Sequence, residues 1–591
     1  MFDPSKPPST LAELAQRSFV TFPDRPYLGQ KKDAKYDFKT FAQIAVRVQN
    51  LCGALLESGL VRGERVAILG DNRPEWAICD LACQMSGIIS VPIYATLPSN
   101  QVETILRDCG AQLVVVSDKS QLAKIEEIRA NLPDLRDAWT YADFPDREVK
   151  GAEFWTKNPT LYESTWPAAL PTDVATIIYT SGTTGEPKGV MLQHKNIIAD
   201  IEGILKIGPH LGPDDVFMSF LPLAHTYERT AGHFLPLRLG ASIGYCESLR
   251  TVNKNFAEVR PTVMACVPRL LESSRESLES YGNSLPEKKR GQFAAALKLA
   301  QKAGMAKGGF PGAPSLNIIE KIKFAIFERA VYTKVRDRFG GRMKHFISGG
   351  APMSPEMGGL FLGVGLEVLE GYGLTETSPV IAVNLPFGPR FGTVGPPLPG
   401  VEVKIAEDGE ILARGATIMK GYWNKTEATS EVLDAENWFH TGDIGEFNKN
   451  GCLRITDRKK DLLVLGNGKK VAPQPIELRL QESRYIAQVV LLGDKAKAVS
   501  ALIVPNFGAL REWATSENLG VSKDEELAHH AATQKLLRRE IDQQTTGLAD
   551  FEKIRKFVVL SEPFSAQNGE MTPTLKIKRR VVAEKYGALV E

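Results

Sequence analysis

Long apolar runs are missing from this chain. None of its 591 residues falls in a stretch approaching the ~18–20 apolar residues that cross a bilayer as a helix, so no transmembrane span is expected. The opening residues, Met-Phe-Asp-Pro-Ser-Lys-Pro-Pro, place no apolar core behind a basic start, and no secretory leader is expected either. Charge of one sign is lacking too. Lys and Arg number 72 against 70 Asp and Glu, a net charge of +2, which argues against a chain that coats nucleic acid. Cysteine is scarce, at seven residues, with no Cys-x-x-Cys and no His nearby at metal-site spacing. Cys79 and Cys83 stand four apart in a helical pattern and read as small core residues on one helix face. Repeats and low-complexity tracts are absent. What remains is 43% hydrophobic and 24% charged, the balance of a packed cytosolic protein with several domains, or one large domain and a small one.

Apolar runs at residues 65–70, 88–94 and 112–117 alternate with helical spacing at 74–86 and 99–108. This βαβαβ rhythm predicts a parallel sheet with helices on both faces. Further strand-like runs at 175–179, 216–221, 241–246, 262–268 and 345–348 predict a second layer of the same kind. The fold class is therefore α/β, with a large N-terminal region of layered sheets. From Gly392 the segments become short, β-rich and punctuated by turns such as Glu407-Asp-Gly409, which predicts a β-rich subdomain. After Asp457-Arg-Lys-Lys-Asp461 comes a stretch long enough for a small α+β domain, dividing the chain into 1–459 and 460–591. Residues 288–344 are set apart by 14 Lys and Arg against three acidic residues, so the rest of the chain is acidic on balance.

The chemistry concentrates first in Tyr179-Thr-Ser-Gly-Thr-Thr-Gly-Glu-Pro-Lys-Gly189, where an apolar strand runs into a loop of glycines and hydroxyls. Glycines let backbone N–H groups approach an anion, hydroxyls add donors, and Lys188 supplies a point charge. It is not a Walker A loop, because no Ser or Thr follows the Lys. The stretch resembles the signature loop of the adenylate-forming (AMP-binding) superfamily, which includes acyl-CoA synthetases, luciferases and peptide-synthetase adenylation domains. The other signatures follow in order: Gly349-Gly-Ala-Pro352, Gly371-Tyr-Gly-Leu-Thr-Glu-Thr377, Thr441-Gly-Asp443, Asp457-Arg-Lys-Lys460 and Met571-Thr-Pro-Thr-Leu-Lys-Ile-Lys-Arg-Arg580.

The resemblance implies a role for each. Thr180, Ser181, Gly182, Thr183, Thr184, Gly185 and Lys188 are expected to cradle phosphates. Gly349, Gly350 and Ala351 would form the adenine-contacting turn, with the Tyr372 ring stacked on the base and Gly373 beside it. Thr375 would donate to phosphate, and Glu376 would hold Mg2+, a hard cation suited to carboxylate oxygen. Asp443 would accept both ribose hydroxyls, with Arg458 alongside. Lys460 is expected at an interdomain hinge of a mobile C-terminal domain. A lysine near the terminus would stabilise charge on the α-phosphate; aligning Lys-Ile-x-Arg-Arg with the family's ending places it at Lys576, but Thr574-Leu575 replaces the usual Ser-Gly, which leaves Lys578 a rival.

Within that superfamily, Ile455-Thr-Asp-Arg-Lys-Lys-Asp-Leu462, with Gly468-Lys-Lys-Val-Ala-Pro473 behind it, is similar to long-chain acyl-CoA synthetases. Leu221-Pro-Leu-Ala-His-Thr-Tyr-Glu-Arg229 points the same way, and Lys470 joins the expected cofactor-binding residues. The implied substrates are a fatty acid, ATP and CoA, with Mg2+ as the metal and no nucleic-acid partner. His225 reads either as a gate to the acyl site or as a satisfied core histidine. Phe361-Leu-Gly-Val-Gly-Leu366 reads equally as the lining of an apolar tunnel or as a core helix. A fatty acyl-AMP ligase that stops at the adenylate, and a non-catalytic nucleotide- and lipid-binding scaffold, are the alternatives. The basic segment is expected to meet anionic membrane, the phosphates of CoA, or only water; membrane would make the protein peripheral at an inner face.

Overall fold

The alternation over residues 65–117 folds into parallel neighbours. Strand Arg65–Leu69 lies between Ile89–Ile93 and Leu113–Val116, with Val66 opposite both Ser90 and Leu113. The computed structural model describes residues 6–33, 35–181, 186–248, 251–310, 312–386, 388, 390–521, 523–565, 568–571 and 577–590, with Ser181 by its backbone alone. The sheet has seven strands; Val174–Ser181, Pro187–Gln193 and Gly421–Tyr422 complete one side and Asp137–Thr140 the other.

An eight-stranded sheet forms the second layer. Its parallel centre is Glu367–Gly373, His345–Ser348, Val263–Cys266, Val216–Ser219 and Ser242–Tyr245. The hairpin Pro26–Lys32 and Lys35–Thr40 closes its far edge, with Leu28 opposite Ile243. Helix Pro74–Ser86 is buried along almost its whole length, which explains its unusually apolar sequence. Trp76, Ile78, Leu81 and Met85 are all fully buried there, each contributing about 1.5–3 kcal/mol relative to exposure. Cys79 and Cys83 lie buried in the same helix as free thiols, and no cluster of three or more His, Cys, Asp or Glu placed to hold a metal ion exists among the described residues. Asp80 on this helix takes the Arg229 guanidinium, whose Nε donates to Oδ2 at 2.9 Å while Nη1 reaches Thr176 at 2.6 Å. That buried pair fixes the segment following His225 between the layers.

Helix Pro355–Gly363 crosses helix Glu287–Lys307 at backbone contact. A Cβ on Gly304 would lie 1.8 Å from the Gly359 carbonyl, and one on Gly363 1.8 Å from that of Ala300. Phe361 packs among Phe339 and Phe346. Over Phe361-Leu-Gly-Val-Gly-Leu366 the core-helix alternative therefore describes the structure. The glycine at 363 serves a helix crossing, and the side chains at 361 and 366 fill a core rather than a tunnel wall.

The β-rich stretch forms a four-stranded antiparallel sheet of Val401–Ile405, Glu410–Gly415, Phe439–Phe447 and Leu453–Arg458. Beyond it, the hairpin Leu463–Val464 and Lys470–Val471 and the sheet Ile486–Leu492, Val499–Pro505 and Ile554–Val559 gather helices Pro473–Gln481 and Ala531–Gln544 around a core of their own. No helix among the described residues is long and apolar enough to cross a membrane.

Candidate functional site

Strand Glu367–Gly373 delivers Tyr372 and then turns sharply. A Cβ on Gly373 would lie 1.7 Å from the Pro379 carbonyl, so only glycine fits there. The antiparallel pairing of Phe439–Phe447 with Leu453–Arg458 sets Asp443 directly opposite Arg458. The Arg458 Nε meets Asp443 Oδ1 at 3.0 Å, and the Tyr372 hydroxyl donates to Oδ2 at 2.7 Å. Both carboxylate oxygens are thus held in place while keeping lone pairs for further donors, as a diol-binding acid requires. Burial, then the Asp443 charge, pushes the Tyr372 hydroxyl well above its ordinary range. The same Asp443 charge raises Arg458.

The short turn Thr375–Thr377 follows, with Thr375 half-buried at its start. Glu376 Oε1 accepts the Tyr422 hydroxyl at 2.9 Å. Lys188 Nζ lies 5.0 Å from the centre of the Tyr422 ring, within cation–π reach. Strand pairing produces this meeting: Thr180 faces Lys188 across one hairpin, and Tyr422 pairs with Val190 on the other side of that strand. Burial raises the Glu376 carboxyl above its usual range. A half-buried carboxylate with one oxygen held by a hydroxyl fits a single-carboxylate Mg2+ site completed by phosphate oxygens and water.

Gly349 and Gly350 follow strand His345–Ser348, with Gly350 at φ +82°, and Ala351 is exposed. A Cβ on Gly349 would touch the Tyr227 ring at 3.4 Å and the Gly371 carbonyl at 3.6 Å. The turn therefore sits between the Tyr372 strand and the His225 segment. His225 is half-buried and caps the helical turn Thr226–Glu228, its Nδ1 accepting from the Tyr227 N–H at 3.1 Å. One of its nitrogens thus has a structural partner, and its ring stands edge-on to Tyr227 at 6.5 Å.

The C-terminal candidates Lys470 and Lys578 sit on elements of their own unit. Lys470 is exposed on strand Lys470–Val471, and Lys578 precedes helix Arg579–Tyr586, its backbone N–H donating to the Glu570 carbonyl at 2.7 Å. Lys460 is exposed in a turn beyond Leu453–Arg458. Lys576, Gly182, Thr183, Thr184 and Gly185 lie outside the described residues, as does the Ser181 side chain.

Two residues that the motifs did not single out belong to the site. Tyr422 is one; its only sequence signal is an aromatic pair after Gly421, and its importance comes from long-range pairing. Glu370 is the other. Burial pushes its carboxyl up to about 8, and it accepts the Met353 N–H just beyond the Gly349 turn. An acid flanked by Leu369 and Gly371, in the middle of the strand, was the available signal.

Comparison with known proteins identifies the family. Residues 15–423 match the family model described as AMP-binding enzyme, and residues 460–591 match the AMP-binding enzyme C-terminal domain. Long-chain-fatty-acid–CoA ligase FadD15 of Mycobacterium bovis is 34% identical over 563 residues, covering 93% of this chain and 91% of that protein. Long chain acyl-CoA synthetase 7, peroxisomal, of Arabidopsis thaliana is 32% identical, covering 96% of this chain and 84% of that protein. The crystal structure of ATP-bound MatB from Rhodopseudomonas palustris superposes with a TM-score of 0.71 at 22% identity, covering 98% of this chain and all (100%) of that one, a likeness of fold.

Proposed function

Because the chain belongs to the AMP-binding enzyme family, we propose that it converts a long-chain fatty acid, with ATP and CoA, to the acyl-CoA thioester, AMP and pyrophosphate. The fatty carboxylate attacks the α-phosphate of ATP and displaces pyrophosphate. The CoA thiol then attacks the acyl carbon of the adenylate, and AMP leaves. A carboxylate oxygen is a poor leaving group and AMP a good one, so the first step makes the second feasible.

The residues divide this work. Asp443 holds the ribose hydroxyls, oriented by Arg458 and Tyr372, and the Tyr372 ring lies against adenine beside Gly373 and the turn of Gly349, Gly350 and Ala351. The segment from Thr180 to Lys188, with Thr375, binds phosphate oxygens. Glu376, steered by Tyr422, is the residue that would hold Mg2+, which supplies charge neutralisation on the phosphates. His225 stands at the entrance to the acyl site. Lys576, with Lys578 as its rival, brings positive charge to the α-phosphate in the first step only, Lys470 binds cofactor from the C-terminal unit, and domains 1–459 and 460–591 turn about Lys460. Supporting that hinge, Lys459 is tied to Asp408 at 2.6 Å and Glu410 at 3.0 Å, while Asp461 and Leu462 fold back onto the Arg458 carbonyl. The protein works in the cytoplasm, at the inner face of a membrane.

The observation that carries this reading is the Asp443 carboxylate, clamped by Tyr372 and Arg458 in a chain whose long-chain ligase relatives match it nearly end to end. Incubation with Mg·ATP, oleate and CoA tests it. Oleoyl-CoA is the expected product; oleoyl-adenylate alone would mark an acyl-AMP ligase, and neither product would leave a binding scaffold.

A further inference from the structure

Helix Ile318–Phe327 has two apolar faces, and only one of them is packed. Phe324 and Phe327 lie 5.0 and 6.3 Å from the Tyr332 ring, whose hydroxyl donates to the Ala296 carbonyl at 2.8 Å, fastening that side to helix Glu287–Lys307. On the other side Ile318, Ile319, Ile322 and Ile326 are 77%, 65%, 59% and 60% exposed. Spaced one and four apart, they share one stripe of the helix. Single exposed apolar residues are ordinary, but four isoleucines along ten residues form a patch.

The charge beside the stripe says what covers it. Lys321 and Lys323 flank it on either side and are exposed, and Arg329 continues it. The two acids of the same segment are each paired with a base: the Glu320 carboxylate takes Lys302 at 2.6 Å and the Asn317 N–H at 2.9 Å, and Glu328 takes Arg336. The exposed face is therefore apolar in the middle and cationic at its margins. Two copies of such a face repel each other when brought together, whereas an anionic lipid surface complements both parts at once.

We propose that helix Ile318–Phe327 is the membrane-docking element of this protein, seating its isoleucine stripe among the acyl chains of an anionic leaflet with Lys321, Lys323 and Arg329 at the headgroups. This rests on the proposed long-chain substrate only in motive, since such acids are dissolved in membranes; the docking itself needs no turnover. The basic residues at the start of the neighbouring helix, Lys288, Lys289 and Arg290, then supply long-range attraction rather than the anchor.

Sedimentation with vesicles of phosphatidylcholine and phosphatidylglycerol in equal parts, without ATP, CoA or fatty acid, tests it. The full chain is expected to bind, with affinity falling as salt rises. Ile318→Gln/Ile322→Gln/Ile326→Gln should weaken binding at least ~30-fold, because it removes the apolar contact. Lys321→Gln/Lys323→Gln should weaken binding to these vesicles ~10-fold and leave pure phosphatidylcholine unaffected. Thioester formation from a water-soluble short acid, without vesicles, should be unchanged in both variants, which shows that they fold and keeps a failure of docking separate from a failure of the proposed reaction. Equal binding by the triple isoleucine variant and the parent would overturn the proposal. So would a parent that ignores the vesicles, or one that self-associates through this face, sedimenting as a dimer that the isoleucine changes dissociate.

Discussion

The nucleotide-side cluster and the C-terminal lysines differ in how they are held. Asp443, Arg458, Tyr372, Glu376, Tyr422 and Lys188 come from five strands and one turn, and each is fixed by a neighbour in the same cluster. Lys460 and Lys470 stand exposed, and Lys578 sits at a helix start with its backbone tied inside its own unit. In the proposed reaction, preorganised groups suit a site that recognises the same nucleotide through both chemical steps. Exposed cations on a separately cored unit suit charge that is needed in one step and removed for the next.

The largest break in that comparison should come from Glu376→Gln. It keeps the shape and the Tyr422 contact but removes a charge from the phosphate site, and should cut adenylate formation by at least ~100-fold. Carboxylate-dependent pyrophosphate exchange reads it directly, and near-normal exchange would remove Glu376 from the metal role. Asp443→Asn should come next. Losing charge-assisted hydrogen bonds to the ribose should raise the KM for ATP ~10–100-fold in both the parent reaction and its first half.

Tyr372, Glu376 and Asp443 were singled out in the sequence because each sits in a short motif resembling the family's, and that resemblance implied their roles. The alternating strands over 65–117 were legible because their pattern and their pairing are both local. Tyr422 was not legible, since it matters only through a strand pairing with Pro187–Gln193 far earlier in the chain. The edge hairpin Pro26–Lys32 and Lys35–Thr40 was missed likewise, its strands being lysine-rich and the first of them joined to the sheet through Ser242–Tyr245, far along the chain. Gly363 illustrates the converse. A glycine in an apolar run suggested space, whereas the backbone of a crossing helix fills it.

Smaller effects sharpen the mobile side. Lys460→Pro locks φ at the turn, and should slow thioester formation about tenfold while sparing adenylate formation. Separate assays of the two half-reactions check this; equal losses in both would place the hinge elsewhere. The smallest effect is electrostatic. Burial, with Glu356 of helix Pro355–Gly363 alongside, pushes the Glu482 carboxyl up to about 8. Here the fold keeps a proton that the unfolded chain releases near pH ~4.3, so stability should fall as pH rises from there to ~8. Glu482→Gln should flatten that fall, as read by thermal melts across the pH range.

The division between a fixed receptor and a visiting charge is tested most directly by Lys576→Ala, assayed on each half-reaction separately. The account predicts that carboxylate-dependent ATP turnover is lost while supplied acyl-adenylate is still converted to thioester at close to the parent rate, because the lysine's charge is needed only as negative charge builds at phosphorus. The same pattern in Lys578→Ala, with Lys576→Ala normal, would move the role by two residues. Equal loss of both half-reactions in Lys576→Ala would contradict the account.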